Sequence, residues 1–169
     1  MFRHHDRMKD QSSVPLYAPQ AISRLRAVLT ELGWELASGS EDNIFFVDFG
    51  PSHIPVAEVM AAISFESPRF VIYFNFGVDA SAARRDEVAR FITRANWGLL
   101  SGNFEMDYDD GHVRFKSSVD FNHTELSETL IRNAILSGMK AVEKYADALV
   151  EVLSGRKDAA QAIKDAEAE

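Results

Sequence analysis

The chain has 169 residues, of which 46% are hydrophobic, enough to bury one ordinary core and too few to suggest two full domains. Twenty-six acidic residues against 18 basic ones give a formal net charge of −8, which opposes a phosphate backbone and removes the counterion release that drives nucleic-acid binding. There is no cysteine, which excludes disulfides, thiol catalysis and cysteine metal sites.

Residues 1–18 are polar, with Pro15 and Pro19 close by, and read as a flexible lead-in before a single domain over residues 19–153. The opening MFRHHDRMKD lacks the apolar stretch of a secretory signal, and no run in the chain is long enough to span a bilayer. A cytoplasmic protein with no membrane partner is expected.

Ile22, Leu25, Val28, Leu29 and Leu32 recur at helical spacing. Pro19 suits the start of this first helix and Gly33 its left-handed end. From Trp34 to Phe76 the pattern turns extended, broken by turn-forming clusters at Ser38–Asp42 and Gly50–Pro55, and three strands are expected there. The runs Val56–Phe65 and Phe70–Phe76 flank Glu66, Ser67, Pro68 and Arg69, a hairpin turn across which Glu66 and Arg69 would pair. Setting Phe65 against Phe70 places Ile63 opposite Ile72, Ala61 opposite Phe74 and Val59 opposite Phe76 on one apolar face. The reverse face carries Met60, Ala62, Ser64, Val71, Tyr73 and Asn75. It is half apolar, and Met60, Ala62, Val71, Tyr73 and Asn75 form the candidate partner or dimer face.

A second helix is expected from a Ser81 cap, with Val88, Phe91, Ile92 and Ala95 buried and Arg84, Arg85, Asp86 and Glu87 facing water, ending near Gly98. Asp110-Gly111 then marks a two-residue hairpin turn. Pairing Asp109 with His112 sets Tyr108 opposite Val113, Asp107 opposite Arg114, Met106 opposite Phe115 and Glu105 opposite Lys116, apolar against apolar and acid against base. A third helix is expected from Asn122 or Thr124 to about Leu153, with Gly138 as its weak point, and at roughly 45 Å it would bend or reach a second subunit. Residues 154–169, rich in Ala, Lys, Asp and Glu, read as frayed helix or disorder with little to bury.

No motif for chemistry stands out. His4, His5, His53, His112 and His123 show no metal-pair spacing, and the Asp107–Gly111 run lacks the ligand spacing and the bidentate glutamate of a calcium loop. There is no glycine-rich phosphate loop or nucleophile elbow. No cofactor, metal or catalytic residue is assigned, and the chain reads as a non-enzyme. Trp34 and Trp97 are expected to fill the seam between helix and sheet rather than serve as binding hot spots.

The fold class is therefore α+β, with a five-stranded antiparallel sheet and the order α-β-β-β-α-β-β-α, the layout of the type III secretion chaperone-like fold. The segment RRDEVARFITRANWGLLSGNFEMDYDDGHVRFKSSVDF from Arg84, followed by LSETLIRNAILSGMKAVEKYADALVEVL, resembles the YbjN domain family of bacterial proteins described as sensory transduction regulators. The resemblance runs from about Ala21 to Leu153 and rests on apolar positions, on Asn96 and on the Gly-x-Phe at Gly102–Phe104. The lead-in, the Ala-rich tail and Gly138 are not features of that pattern. The resemblance implies a chaperone-like, often dimeric, protein-binding module and no site residues. The expected partner is another protein, with a homodimer as one form. The alternative is a small-molecule sensor or an enzyme with a pocket between the long helix and the sheet.

Overall fold

The computed structural model of the protein describes residues 18–37, 43–48 and 53–168. The lead-in up to residue 17, and residues 38–42 and 49–52 of the two turn clusters, lie outside the described residues.

Helix α1 (Ala18–Glu31) buries Leu25, Val28 and Leu29 of the expected stripe together with Ala18 and Ala21, while Ile22 and, just past the helix, Leu32 are half-buried against the core. It ends at Gly33 (φ 74°): the Gly33 amide donates to the Thr30 carbonyl and the Trp34 amide to the Leu29 carbonyl, satisfying two carbonyls the helix leaves unpaired. Trp34 is buried there, as expected.

Residues 34–76 hold four strands rather than three: β1 (Glu35–Leu36), β2 (Ile44–Asp48), β3 (Val56–Ser64) and β4 (Arg69–Phe76). With β5 (Asn103–Met106) and β6 (Val113–Asp120) they form a six-stranded antiparallel sheet in the order β1-β2-β3-β4-β6-β5. The extra strand is the two-residue β1, too short to carry a period-2 signal.

Both hairpins are shifted by two residues from the expected pairing, for the same reason. In the first, Phe65–Pro68 is all turn, so Ser64 faces Arg69, Ile63 faces Phe70, Ala61 faces Ile72 and Val59 faces Phe74. Arg69 pairs with Asp120 at 2.9 Å instead of with Glu66. In the second, the turn is not the two-residue Asp110-Gly111 type. Asp107 and His112 close it: the Asp107 amide donates to the His112 carbonyl, the Gly111 amide donates to the Asp107 carbonyl, and Gly111 sits at φ 86°. The side chains of Asp107 and Asp110 accept from the amides of Asp109 and His112, which stabilises the longer loop. Met106 then faces Val113, Glu105 faces Arg114 and Phe104 faces Phe115. Because side chains alternate with period 2, a two-residue shift leaves every paired residue on its expected face, whereas Tyr108, expected opposite Val113, falls in the loop and is exposed.

Helix α2 (Arg85–Trp97) buries Val88, Phe91, Ile92 and Ala95 as expected, but Arg84 is its N-cap residue. Ser81 contributes through its backbone carbonyl, which accepts from the amides of Arg84 and Arg85. Helix α3 (Glu128–Leu153) starts later than expected, because the Ser127 hydroxyl, not Asn122 or Thr124, accepts from the Leu130 amide. Asn122 and Thr124 instead belong to a hydrogen-bonded loop after β6 in which His123 adopts φ 58°. At 26 residues α3 is about 39 Å long, and its length is taken up within the chain by α1, α2, β4, β6 and a further helix.

That helix, α4 (Ala159–Ala168), corrects the reading of the tail. Ala159, Ala162, Ile163 and Ala166 are buried against α2 and α3, a stripe of small residues whose weak hydropathy hid it. Two residues at the start of α2 hold it there rather than facing water. The Arg84 guanidinium donates to the Val152 carbonyl through Nε (3.0 Å) and Nη2 (2.7 Å), at the C-terminal end of α3, and Nη2 also donates to the Lys157 carbonyl (3.3 Å) in the link to α4. Glu87 Oε1 accepts from the Ala159 amide (2.7 Å), at the first turn of α4. A cation on a helix C-terminus and an anion on a helix N-terminus both oppose the end charges of the peptide dipoles.

The described helices lie on one side of the sheet, above Phe45, Val59, Ala61, Ile63, Phe70, Ile72, Phe74, Phe76, Phe104, Val113 and Phe115, with α4 packed on α2 and α3. Gly138 is where α3 touches down: a Cβ there would stand 2.8 Å from Phe74 Cε2 and 3.3 Å from Phe115 Cε1. From this contact an edge-to-face aromatic chain runs Phe74–Phe115–Phe104–Tyr145–Phe91, tying β4, β6 and β5 to α3 and α2.

Gly138→Ala is expected to lower stability by about 1–2 kcal/mol in urea titration, although alanine is the better helix former by about 1 kcal/mol, because its methyl group has no room. Gly98→Ala, with nothing within 4 Å of the added Cβ, is expected to change stability by less than about 0.5 kcal/mol. Arg84→Ala is expected to speed amide hydrogen exchange across residues 159–166 by roughly an order of magnitude, with little change in β3 and β4.

Candidate interaction surface

The side of the sheet away from the helices is built by the alternate residues of the same strands. Met60 and Ala62 point to it from β3, opposite Tyr73 and Val71 of β4, and Asn75 continues the β4 row. All five candidate residues therefore share one continuous patch, and all five are half-buried. Ile44 of β2 lies opposite Ala62, and Phe46 opposite Met60, extending the apolar part. Beyond β4 the face turns polar: Ser118, Lys116 and Arg114 of β6 lie opposite Val71, Tyr73 and Asn75, and Asn103 and Glu105 of β5 complete it.

Tyr73 is the hinge between the two halves. The Arg114 guanidinium carbon lies 4.2 Å from the centroid of its ring, a cation–π contact between adjacent strands. Arg114 Nε also donates to Glu105 Oε1 at 2.6 Å, while Lys116 Nζ donates to Glu105 Oε2 at 2.6 Å. Burial pushes the Glu105 carboxyl up, but hydrogen bonds from Lys116 and Arg114, with their charges, outweigh it and hold the carboxyl below its ordinary value. The two cations are thus held flat against the sheet and share one carboxylate, so the cluster keeps a net charge of about +1. At the far end Asn75 donates to Glu58 (3.0 Å) and lies 3.4 Å from His112 Nε2, whose Nδ1 is 3.1 Å from Asp79. These bonds leave the patch apolar at β3 and β4, with a rim of paired charge.

Nothing in this patch has the geometry of a catalytic couple: it has no nucleophile beside a base and no pair of opposed carboxylates. Among the described residues no group of three or more His, Cys, Asp or Glu side chains is placed to hold a metal ion, and no helix is long and apolar enough to cross a membrane.

A cleft of about 550 Å³ lies elsewhere, between α1 and the loop after β6, lined by Gln20, Arg24, Pro68, Phe121, His123 and Leu126 among others. It differs in place from the pocket expected between the long helix and the sheet, where α3 is instead seated at Gly138 on Phe74 and Phe115. The charged head of Arg24 is engaged by Glu125 Oε2 (2.8 Å) and the Leu126 carbonyl (3.2 Å).

Trp97 corrects a second expectation. It does not fill a seam but is 93% exposed, and Leu100 beside it is fully exposed. The helical period gave the signal: Trp97 follows Asp86, Arg90 and Thr93 at intervals of three and four, on the polar stripe opposite Val88, Phe91 and Ala95.

The YbjN family model, described as "Putative bacterial sensory transduction regulator", matches residues 21–151 of the chain. Among solved structures, one described as "Crystal structure of YbjN, a putative transcription regulator from E. coli" is similar in fold, with a TM-score of 0.51 and 11% sequence identity. The similarity covers 79% of this chain and 90% of that one. No curated protein matches the chain.

Replacing Glu105 by Gln tests the charged rim. A carboxyl held below its ordinary value contributes stability that is present above the unfolded-state pKa and lost as pH falls through the folded one. Glu105→Gln is therefore expected to be less stable than the wild type by about 1 kcal/mol at neutral pH, and the gap should close below about pH 4, as followed by thermal melts across pH.

Proposed function

The chain belongs to the YbjN family, and from that premise we propose that it is a non-enzymatic, protein-binding regulator, a chaperone-like adaptor in sensory transduction or stress response. It works as a homodimer in the cytoplasm and holds an extended or helical segment of a partner protein on the helix-free face of the sheet.

The observation that carries this reading is the asymmetry of the sheet. One side is covered by the described helices, with α4 packed behind α2 and α3, while the other presents Met60, Ala62, Val71 and Tyr73 side by side, half-buried, with Glu105 pairing both Arg114 and Lys116. Contiguous apolar surface rimmed by polar groups marks interaction sites in soluble proteins. Tyr73, stacked under a guanidinium, offers a pre-ordered aromatic anchor of the kind that dominates binding energy at interfaces. The order of helices and strands, apart from β1 and α4, follows the chaperone-like layout and supports the same reading. The net charge of −8 speaks against direct contact with DNA, so an effect on transcription, the role named for the similar E. coli protein, would here pass through another protein.

The cleft beside Arg24 favours a second reading, a small-molecule sensor. Engagement of the Arg24 head by Glu125 and the Leu126 carbonyl weakens it, since the cleft then has no uncommitted guanidinium to orient a charged ligand.

In affinity capture of the tagged protein from its own source lysate, read by mass spectrometry, the wild type is expected to retain a partner that the Val71→Asp, Tyr73→Asp variant loses by at least about tenfold. The variant's circular dichroism should match the wild type. Equal retention by both forms would remove the sheet face from the reading. Retention by neither, with a metabolite-induced thermal shift that substitutions at the Arg24 cleft abolish, would favour the sensor.

A further inference from the structure

The four described large hydrophobic residues that are more than half exposed all lie at the two ends of α2. Trp97 (93%) and Leu100 (105%) are at its C-terminal end. Tyr108 (52%) is at its N-terminal end, where its hydroxyl donates to Asp86, and Val78 (55%) adjoins the same loop in the short segment whose Ala80 amide donates to the Gly111 carbonyl. Between these apolar ends the outward stripe of α2 is charged and polarised. Asp86 is in its first turn and Arg94 in its last. Asp86, Arg90, Thr93 and Trp97 fall within an arc of roughly 60° on the helix surface, with Arg94 about 40° beyond it on the Arg90 side.

Such a stripe is complementary to itself when reversed. If a second α2 lies antiparallel about a two-fold axis at Arg90, Asp86 of each copy meets Arg94 of the other, two turns away. Trp97 and Leu100 then cover the exposed Ala82 and Ala83 and reach Tyr108. The like charges at the axis are Arg90 and its symmetry mate, and each has Glu87 of its own chain 3.5 Å away. No ion pair engages Arg94 among the described residues, so it is available. Both side chains at the protruding corner stand clear of any wall, which fits packing against a firm surface rather than enclosing a ligand.

We propose that the outward face of α2 is the homodimer surface of this protein, on which a second copy of the chain lies antiparallel, pairing Asp86 with Arg94 and burying Trp97 and Leu100. This builds on the homodimer in the functional reading and assigns its contact to α2, leaving the sheet face for the partner. A two-fold contact is isologous, so each substitution acts twice and opposite charges can be exchanged between positions.

Sedimentation velocity across a concentration series tests it with six proteins. The wild type is expected to dimerise, Asp86→Arg and Arg94→Asp each to raise the dimer Kd at least about tenfold, and the doubly substituted chain to return to within about threefold of the wild type. Trp97→Ser with Leu100→Ser is expected to give a monomer with an unchanged far-ultraviolet spectrum. The Val71→Asp, Tyr73→Asp chain should remain a dimer, so failure at the sheet and failure at α2 are read separately. A wild type that stays monomeric at the highest concentration overturns the proposal, as does a double charge exchange no better than either single one. Dimerisation lost only in the sheet variant would move the contact to the sheet face. Because Trp34 is buried, a blue shift of emission from a monomeric wild type on vesicles of anionic phospholipid would assign the Trp97 corner to a membrane surface and also overturn it.

Discussion

The contact on which the arrangement depends is the seating of α3 on the sheet at Gly138. An α-helix over a sheet keeps its axis about 10 Å away when ordinary side chains intervene, and two phenylalanines at one crossing would hold it farther off. Gly138 removes the side chain on the helix side, so Phe74 and Phe115 rise into the space and lie edge to face, with centroids 6.3 Å apart. That close approach brings Tyr145 onto Phe104 and Phe91, which fixes α2 beside α3, and the groove between those helices is where α4 docks. One missing methyl group therefore sets the position of three helices.

The seating has a functional consequence. With α1, α2, α3 and α4 all on one side, the period-2 alternation of β3, β4 and β6 leaves the other side without a helix among the described residues. An uncovered antiparallel sheet usually carries polar residues. Here it carries Met60, Ala62, Val71 and Tyr73 in the middle and a closed Arg114–Glu105–Lys116 cluster at the rim. The edge is guarded as well. Asn96 donates to the Phe104 carbonyl (2.9 Å) and accepts from the Phe104 amide (2.8 Å), so α2 occupies the outer hydrogen-bonding positions of β5 with a side chain. Pairing of another strand at that edge is blocked at Phe104, which favours the open face over the edge as the route of contact.

Most of the faces were legible in the sequence, and much of the register was not. Val88, Phe91, Ile92 and Ala95 could be assigned to the core because a 3.6-residue period is redundant over three turns. The two hairpins were each placed two residues off, because alternation constrains only whether a residue points up or down: Phe65–Pro68 is all turn, and Asp107–His112 is closed by backbone and Asx bonds that an Asp-Gly dipeptide does not disclose. The five candidate residues fell on one face despite this error, since a shift of two conserves the face. Helix α4 was missed because alanines bury area without announcing it in hydropathy, and its anchors are distant in sequence: Arg84 is 73 residues from Lys157, in the link to α4, and Glu87 is 72 residues from Ala159. Trp97 was misread because aromatic character outweighed its position on the polar stripe.

The central claim is that one side of the sheet is sealed and the other open, and the lack of any cysteine in the chain makes a direct measurement possible. Single cysteines at Ala62 and Ser118, on the open side, and at Ser117, which is 1% exposed on the sealed side, would be reacted with a thiol reagent under native conditions. The account predicts labelling at Ala62→Cys and Ser118→Cys within about tenfold of a free thiol, and protection of Ser117→Cys by at least about a thousandfold, the scale set by global unfolding. Protection at Ala62→Cys comparable to that at Ser117→Cys would contradict it, because the face assigned to the partner would already be covered.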